Sequence, residues 1–139
     1  MDTQFELTHL PCNDFQRSRA FSPAVISGGG RTVWLAGQTT SVDLEGRPIP
    51  HDFEAQARAC FGLIGKTLAP LGGSLENLVT MTVFIKDPRH GDAFVNLRKE
   101  VFSSGKFPAS ALITVAHFAR PEIMIEIQAI AVLPPAAQA

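Results

Sequence analysis

Apolar residues recur along this chain at two spacings. Between Asp52 and Leu71, Phe53, Ala57, Cys60, Ile64, Leu68 and Leu71 fall at i, i+4, i+7, i+11, i+15 and i+18, one face of an α-helix. Asp52 offers an N-cap oxygen, and Gly72 and Gly73 end the pattern. Gly62 and Gly65 lie inside it and cost about 1 kcal/mol each relative to alanine, which close packing on a sheet would explain. From Val79 to Lys86 the period drops to two, with Val79, Met81, Val83 and Ile85 on one side of a strand and Thr80, Thr82 and Phe84 on the other. A second helix is predicted from about Arg89 to Ser103, with Phe94, Leu97 and Val101 inward and Gly105 as its stop. Ala109 to Phe118 and Ile123 to Leu133 are almost wholly apolar, as in strands covered on both faces.

The first third is less regular. Phe5 to Leu10 reads as a strand, Cys12 to Arg19 as a polar segment, and Ser22 to Ile26 as short extended chain. Gly28, Gly29 and Gly30 form a tight turn, since glycine adopts positive φ without steric cost. Arg31 to Thr39 is a strand, so a hairpin through the glycines is predicted. The order β-β-β-α-β-α-β-β gives an α+β fold, with two helices on one face of a mixed sheet. The other face is left apolar, and oligomerisation through it follows. Residues 1–139 are expected to form one domain, with an ordered core of about 5–133 closed by Pro134 and Pro135.

Composition supports a buried sheet. Hydrophobic residues make up 45% of the chain and charged residues only 18%, against roughly 25% in typical domains. The formal net charge is −1, and no basic stripe points to nucleic acid or to a membrane surface. The first residues lack the pattern of a secretory signal, and no apolar run reaches transmembrane length, so a cytoplasmic location is expected. Cys12 and Cys60 have neither zinc-site nor C-x-x-C spacing. Cys60 reads as a small buried hydrophobe and Cys12 as an exposed loop thiol.

Glu126 is the most unusual polar residue, because it interrupts Ile123-Met124-Ile125-Glu126-Ile127-Gln128-Ala129-Ile130. Burying a lone carboxylate is expensive. Either it turns into an interface and pairs with an N–H or an arginine, or it sits in an interfacial pocket where it positions or activates water. Gln128 shares its face, and Gly37-Gln38-Thr39 offers a close backbone approach at a strand end. The histidines His9, His51, His90 and His117 show no metal spacing. Ser22 and Ser110 lack the G-x-S-x-G context of a hydrolase, and the glycine triplet matches no phosphate-binding loop. No metal and no cofactor are implied.

Several segments resemble the YjgF/RidA family, in order and over about residues 18–133. Phe21-Ser22-Pro23-Ala24-Val25 and Val33-Trp34-Leu35-Ala36-Gly37-Gln38 resemble its Y-S-Q-A-V and v-f-x-S-G-Q segments. Gly73-Ser74-Leu75-Glu76-Asn77-Leu78-Val79 resembles its helix-to-strand step, and Phe94-Val95-Asn96 its second helix. Pro108-Ala109-Ser110 stands where the family has P-A-R, and Ile125 to Ala131 resembles the v-E-I-e-a-I-A ending. The resemblance implies a chorismate-mutase-like fold and a barrel-like homotrimer with three clefts between subunits. It implies hydrolysis of reactive enamines and imines, without a cofactor. On this resemblance Glu126 is the catalytic, water-positioning residue, and Phe21, Gly37, Gln38, Asn96, Ser110 and Ala111 line the substrate cleft.

Two positions depart from the pattern. Phe21 replaces a tyrosine, and Ser110 replaces the arginine that clamps the substrate carboxylate. Serine cannot supply that fork of charged hydrogen bonds. Arg19, Arg31 and Arg120 are the candidate substitutes. Two functions follow: a deaminase-type hydrolase acting on an imine or related C–N substrate of altered specificity, or a non-catalytic trimer binding a small molecule in its clefts. A ribonuclease role, attached to some family members, is disfavoured by the lack of a basic patch and of an acid–base histidine pair.

Overall fold

The computed structural model describes residues 4–136. The strands are β1 (Glu6–His9), β2 (Val25–Gly28), β3 (Arg31–Trp34), β4 (Leu78–Ile85), β5 (Ala109–Thr114) and β6 (Ile125–Leu133). The α-helices are α1 (Asp14–Ser18), α2 (Phe53–Leu68) and α3 (Gly91–Val101). A four-stranded mixed sheet has the order β3-β6-β4-β5, with β4 and β5 parallel and the other pairs antiparallel. Helices α2 and α3 cover one face of it.

The hairpin expected through Gly28–Gly30 does not form. Strand β2 pairs with β1 in a separate two-stranded ribbon, while β3 pairs with β6. Gly29 does turn the chain, at φ 71°. At Gly30 a side chain would collide with the Leu133 carbonyl, Val132 and Phe5. The backbone therefore crosses there from ribbon to sheet, and the ribbon shields the end of β6. The polar segment before β2 contains α1, whose N-terminus carries a reciprocal cap: Asn13 Oδ1 accepts from Gln16 N (2.8 Å) and Gln16 Oε1 from Asn13 N (2.9 Å).

Helix α2 follows its apolar pattern. Asp52 accepts from Ala55 N at 3.1 Å, and Phe53, Ala57, Cys60, Ile64 and Leu68 are buried. Leu71 falls outside the helix and is 42% exposed. The two helix glycines do not face the sheet as expected: a Cβ on Gly62 would meet Leu44, and one on Gly65 would touch Leu75. Helix α3 is shorter than predicted, because Pro88–His90 form a 3₁₀ turn before it. Its inner face carries Phe94 and Leu97 and also Arg98, which is 2% exposed.

The sheet's second face is open in the single chain and more mixed than the apolar pattern implied. Trp34 is 77% exposed and Ile113 43%. Thr80, Thr82, Glu126 and Gln128 share this face, because their ladder neighbours Met81, Val83, Ile125, Ile127 and Ala129 point into the core.

Candidate functional site

Glu126 owes its setting to a bulge. Trp34 lies opposite Ile130 and Gln38 opposite Ile127, so the strand carrying Trp34 has one residue more than β6 over the same stretch. The flanking hydrogen bonds hold: Leu35 N donates to Ala129 O (3.2 Å), Gln38 N to Ile127 O (2.7 Å) and Ile127 N to Gln38 O (2.9 Å). The extra residue brings Gly37 against the Glu126 carboxylate, and a Cβ there would strike Oε2. A side chain at position 37 would displace the carboxylate, which lies on bare backbone. Among the described residues, no hydrogen bond to that carboxylate forms. Gln128 follows two positions along and lines a groove of about 280 Å³ with Trp34, Thr80, Thr82 and Ile130. Gly37, Gln38, Glu126 and Gln128 thus lie close together around the bulge.

Cys60 lies on the opposite side of this bulge and donates its thiol to the Gln38 carbonyl at 3.4 Å. Burial, with the Glu126 charge second, pushes its pKa up to about 12. It behaves as the buried hydrophobe expected of it. Cys12 does not match its expectation. It is half-buried, and its thiol donates to the Phe21 carbonyl at 3.3 Å.

Phe21 and Ser110 flank a bridge on the outer edge of β5. Ser22 forms a parallel bridge to Ala109, its N–H donating to Pro108 O (3.1 Å) and its hydroxyl to Phe107 O (2.5 Å). Ala111 is exposed on the open face. Ser110 lies opposite the buried Met81 and so faces the helices. There its Oγ accepts from Arg98 Nη1 at 2.6 Å. Arg98 Nη2 donates to Arg19 O (3.1 Å), and the guanidinium stands 5.0 Å from the Phe94 ring centre. Its Nε is buried without a partner. Burial, and the nearby Arg19 charge, push the Arg98 pKa down to about 10.

The arginine beside Ser110 is therefore none of the three candidates. Arg19 pairs with Asp92 at 2.8 Å. Arg31 donates to Pro134 O and Leu71 O at 3.0 and 3.1 Å, and Arg120 lies 3.4 Å from Glu122. A signal for Arg98 was present in the sequence: it follows Phe94 by four and Leu97 by one, on the stripe that α3 buries.

The expected residues form two groups within one chain. Ser110 and Glu126 are three residues apart along the register, two strands apart across it, and on opposite faces, about 14 Å between Cα atoms from strand geometry. Asn96 is exposed on α3, apart from both. Of the histidines, His90 stacks on Phe53 with centroids 4.4 Å apart, and His51 N donates to Glu122 O. Among the described residues no cluster of His, Cys, Asp and Glu is placed to hold a metal ion, and no helix is long and apolar enough to cross a membrane.

A family model described as Endoribonuclease L-PSP matches residues 13–133. The fold is that of YyfB from Yersinia pestis, a protein of the Rid family, with a TM-score of 0.77 at 24% identity over 96% of this chain and all of that one. The chain belongs to the YjgF/RidA family. Two curated relatives carry RutC-family names. Escherichia coli YjgH is 30% identical over 108 residues, covering 77% of this chain and 79% of that protein. Synechocystis slr0709 is 31% identical over 124 residues, covering 89% of each. In this YjgF/RidA chain the family's G-Q and final-strand segments are the ones that build the Glu126 site.

Proposed function

We propose that this chain is a RidA-like hydrolase that deaminates a small imine or enamine, and that it acts as a homotrimer with its sites in the clefts between subunits. The observation that supports this best is the Glu126 carboxylate, seated against the Gly37 backbone on the open sheet face with its hydrogen-bonding capacity unused in the chain. Such a group can hold a water molecule and accept its proton as the oxygen adds to the C=N carbon. The nitrogen takes up a proton, and collapse of the carbinolamine gives a carbonyl compound and ammonia. No cofactor enters this balance.

The separation of Ser110 from Glu126 favours a composite site. A substrate of a few heavy atoms cannot span about 14 Å and two faces of one sheet. Glu126 from one subunit would work with Phe21 and Ser110 from its neighbour.

Specificity is proposed to differ from that of 2-iminopropanoate deaminases. At position 110 the family arginine offers a carboxylate two charged donors, whereas serine offers one neutral donor. Ser110 Oγ accepts from Arg98, and its hydroxyl makes only a long 3.5 Å contact to the Ala111 carbonyl, so its proton can turn to a ligand acceptor. It suits a neutral acceptor such as a carbonyl oxygen.

The test is light scattering for the trimer, together with ammonia release from a panel of imines bearing or lacking a carboxylate. The expected result is turnover of a carboxylate-free imine that falls at least about 100-fold in Glu126→Gln. A trimer with no turnover, and with Glu126→Gln identical to wild type, would leave a non-catalytic binding protein.

A further inference from the structure

One cavity belongs to neither group of family residues. It holds about 520 Å³ between β1, the loop that follows it, and the turn leading into β5. Its apolar walls include Leu7, Leu10 and Phe107, and its polar groups include His9, Arg17 and Lys106. None of Phe21, Gly37, Gln38, Asn96, Ser110, Ala111 or Glu126 lines it. The volume suits a small organic molecule.

Three observations define its chemistry. First, His9 Nε2 is buried without a hydrogen-bond partner, which is costly unless a ligand or water completes it. Burial, and then the Lys106 charge, lower the His9 pKa, against a weaker opposing pull from Glu76. Second, the charged side chains lining the cavity are cations, with no carboxylate among them. Arg17 is already paired with Asp14 at 3.3 Å, and Glu76 accepts from Ser104 at 3.2 Å, which leaves Lys106 as the lining cation without an ion pair among the described residues. Third, the site is braced. Arg17 Nη2 donates to Cys12 O at 3.1 Å, and the Ser22 hydroxyl ties down Phe107 O at 2.5 Å.

We infer that this cavity binds a small apolar carboxylate, with the ligand's hydrocarbon body against Leu7, Leu10 and Phe107 and its carboxylate between His9 Nε2 and Lys106. A neutral ligand would leave Lys106 without a counter-charge, and a highly charged one would waste the apolar walls. The inference does not depend on any catalytic role for Glu126.

Benzoate is the probe, titrated by calorimetry and by ¹⁵N histidine NMR on the full-length protein at low salt. The expected result is saturable binding at one site per chain, a shifted His9 Nε2 resonance, and affinity at least about tenfold weaker in Lys106→Glu. Lys106 is exposed, so this variant keeps the fold. Glu126→Gln should bind benzoate as wild type does, and benzyl alcohol should not compete. Absence of binding at millimolar benzoate, equal affinity in Lys106→Glu, or an unmoved His9 signal would each overturn the assignment.

Discussion

Ser110→Arg looks like the natural way to restore a carboxylate clamp, and the structure predicts that alone it fails. The new side chain would start on the helix-facing side of β5, where Arg98 Nη1 lies 2.6 Å from the Ser110 oxygen. Two guanidinium charges about 4 Å apart at an effective dielectric constant of 20 repel by about 4 kcal/mol. Position 110 is half-exposed, so the longer side chain relieves part of this by swinging outward. The expected destabilisation is about 2–4 kcal/mol. Arg98→Met removes the buried charge and keeps the side chain's length. It gives up two charged hydrogen bonds to oxygen, a contact to Met81 Sδ and one orphaned Nε, a balance expected within about 1.5 kcal/mol of neutral. The double variant should then be close to Arg98→Met alone. Urea denaturation at one fixed protomer concentration gives the cycle. A coupling below about 0.5 kcal/mol between the two positions would refute the geometry. The same proteins assayed on 2-aminoacrylate test function separately: activity is expected to emerge in the double variant and to be weak in wild type.

Gly65→Ala should stabilise the chain by about 0.5–1 kcal/mol by helix propensity, because its Cβ makes only ordinary contact with Leu75 at 3.8 Å; a lower melting temperature would contradict this. Gly37→Ala should drive the Glu126 carboxylate off its seat. Turnover should fall at least about tenfold with little change in melting, where each tenfold corresponds to about 1.4 kcal/mol; unchanged turnover would detach Glu126 from the reaction. Cys60, its pKa raised from 9.0 to about 12, favours the protonated thiol when folded. Its contribution to stability is complete below pH 9 and lost as pH climbs through 12. Iodoacetamide at pH 8.5 should spare Cys60 until denaturant is added, as peptide mass spectrometry would show.

The sequence carried the α2 face, the β4 alternation from Met81 to Ile85 and the singularity of Glu126, because each rests on local period or on one polar residue in an apolar run; at the start of β4 an irregularity puts Leu78 rather than Val79 inward. It misdirected the glycine triplet, where local turn chemistry was right but the pairing partner was not. Hairpin pairing is the local default, and only the close approach of Leu133, Val132 and Phe5 to Gly30 redirects β2 to β1. The bulge at Gly37 depends on the segment after β3 having one residue more than β6 between the pairs Trp34–Ile130 and Gln38–Ile127, a long-range count that no short window contains. Arg98 was missed for the opposite reason. Its position on the buried stripe was legible, but charged residues on such stripes read as boundaries rather than as core.

Arg98 also shows why position 110 need not be understood as a simple loss. A buried guanidinium is stabilised only by what surrounds it, and here that is one hydroxyl, one carbonyl, the Met81 thioether and an aromatic face, without a carboxylate in contact. With Ser110 as the acceptor, the cation can sit between α3 and β5. With arginine at 110 the same space would hold two like charges. The identities of residues 98 and 110 are therefore physically coupled: a chain that places its arginine on the helix excludes one on the strand. The proposed change in what the cleft recognises is then tied to the packing of α3 on the sheet, and a carboxylate clamp at position 110 requires first vacating position 98.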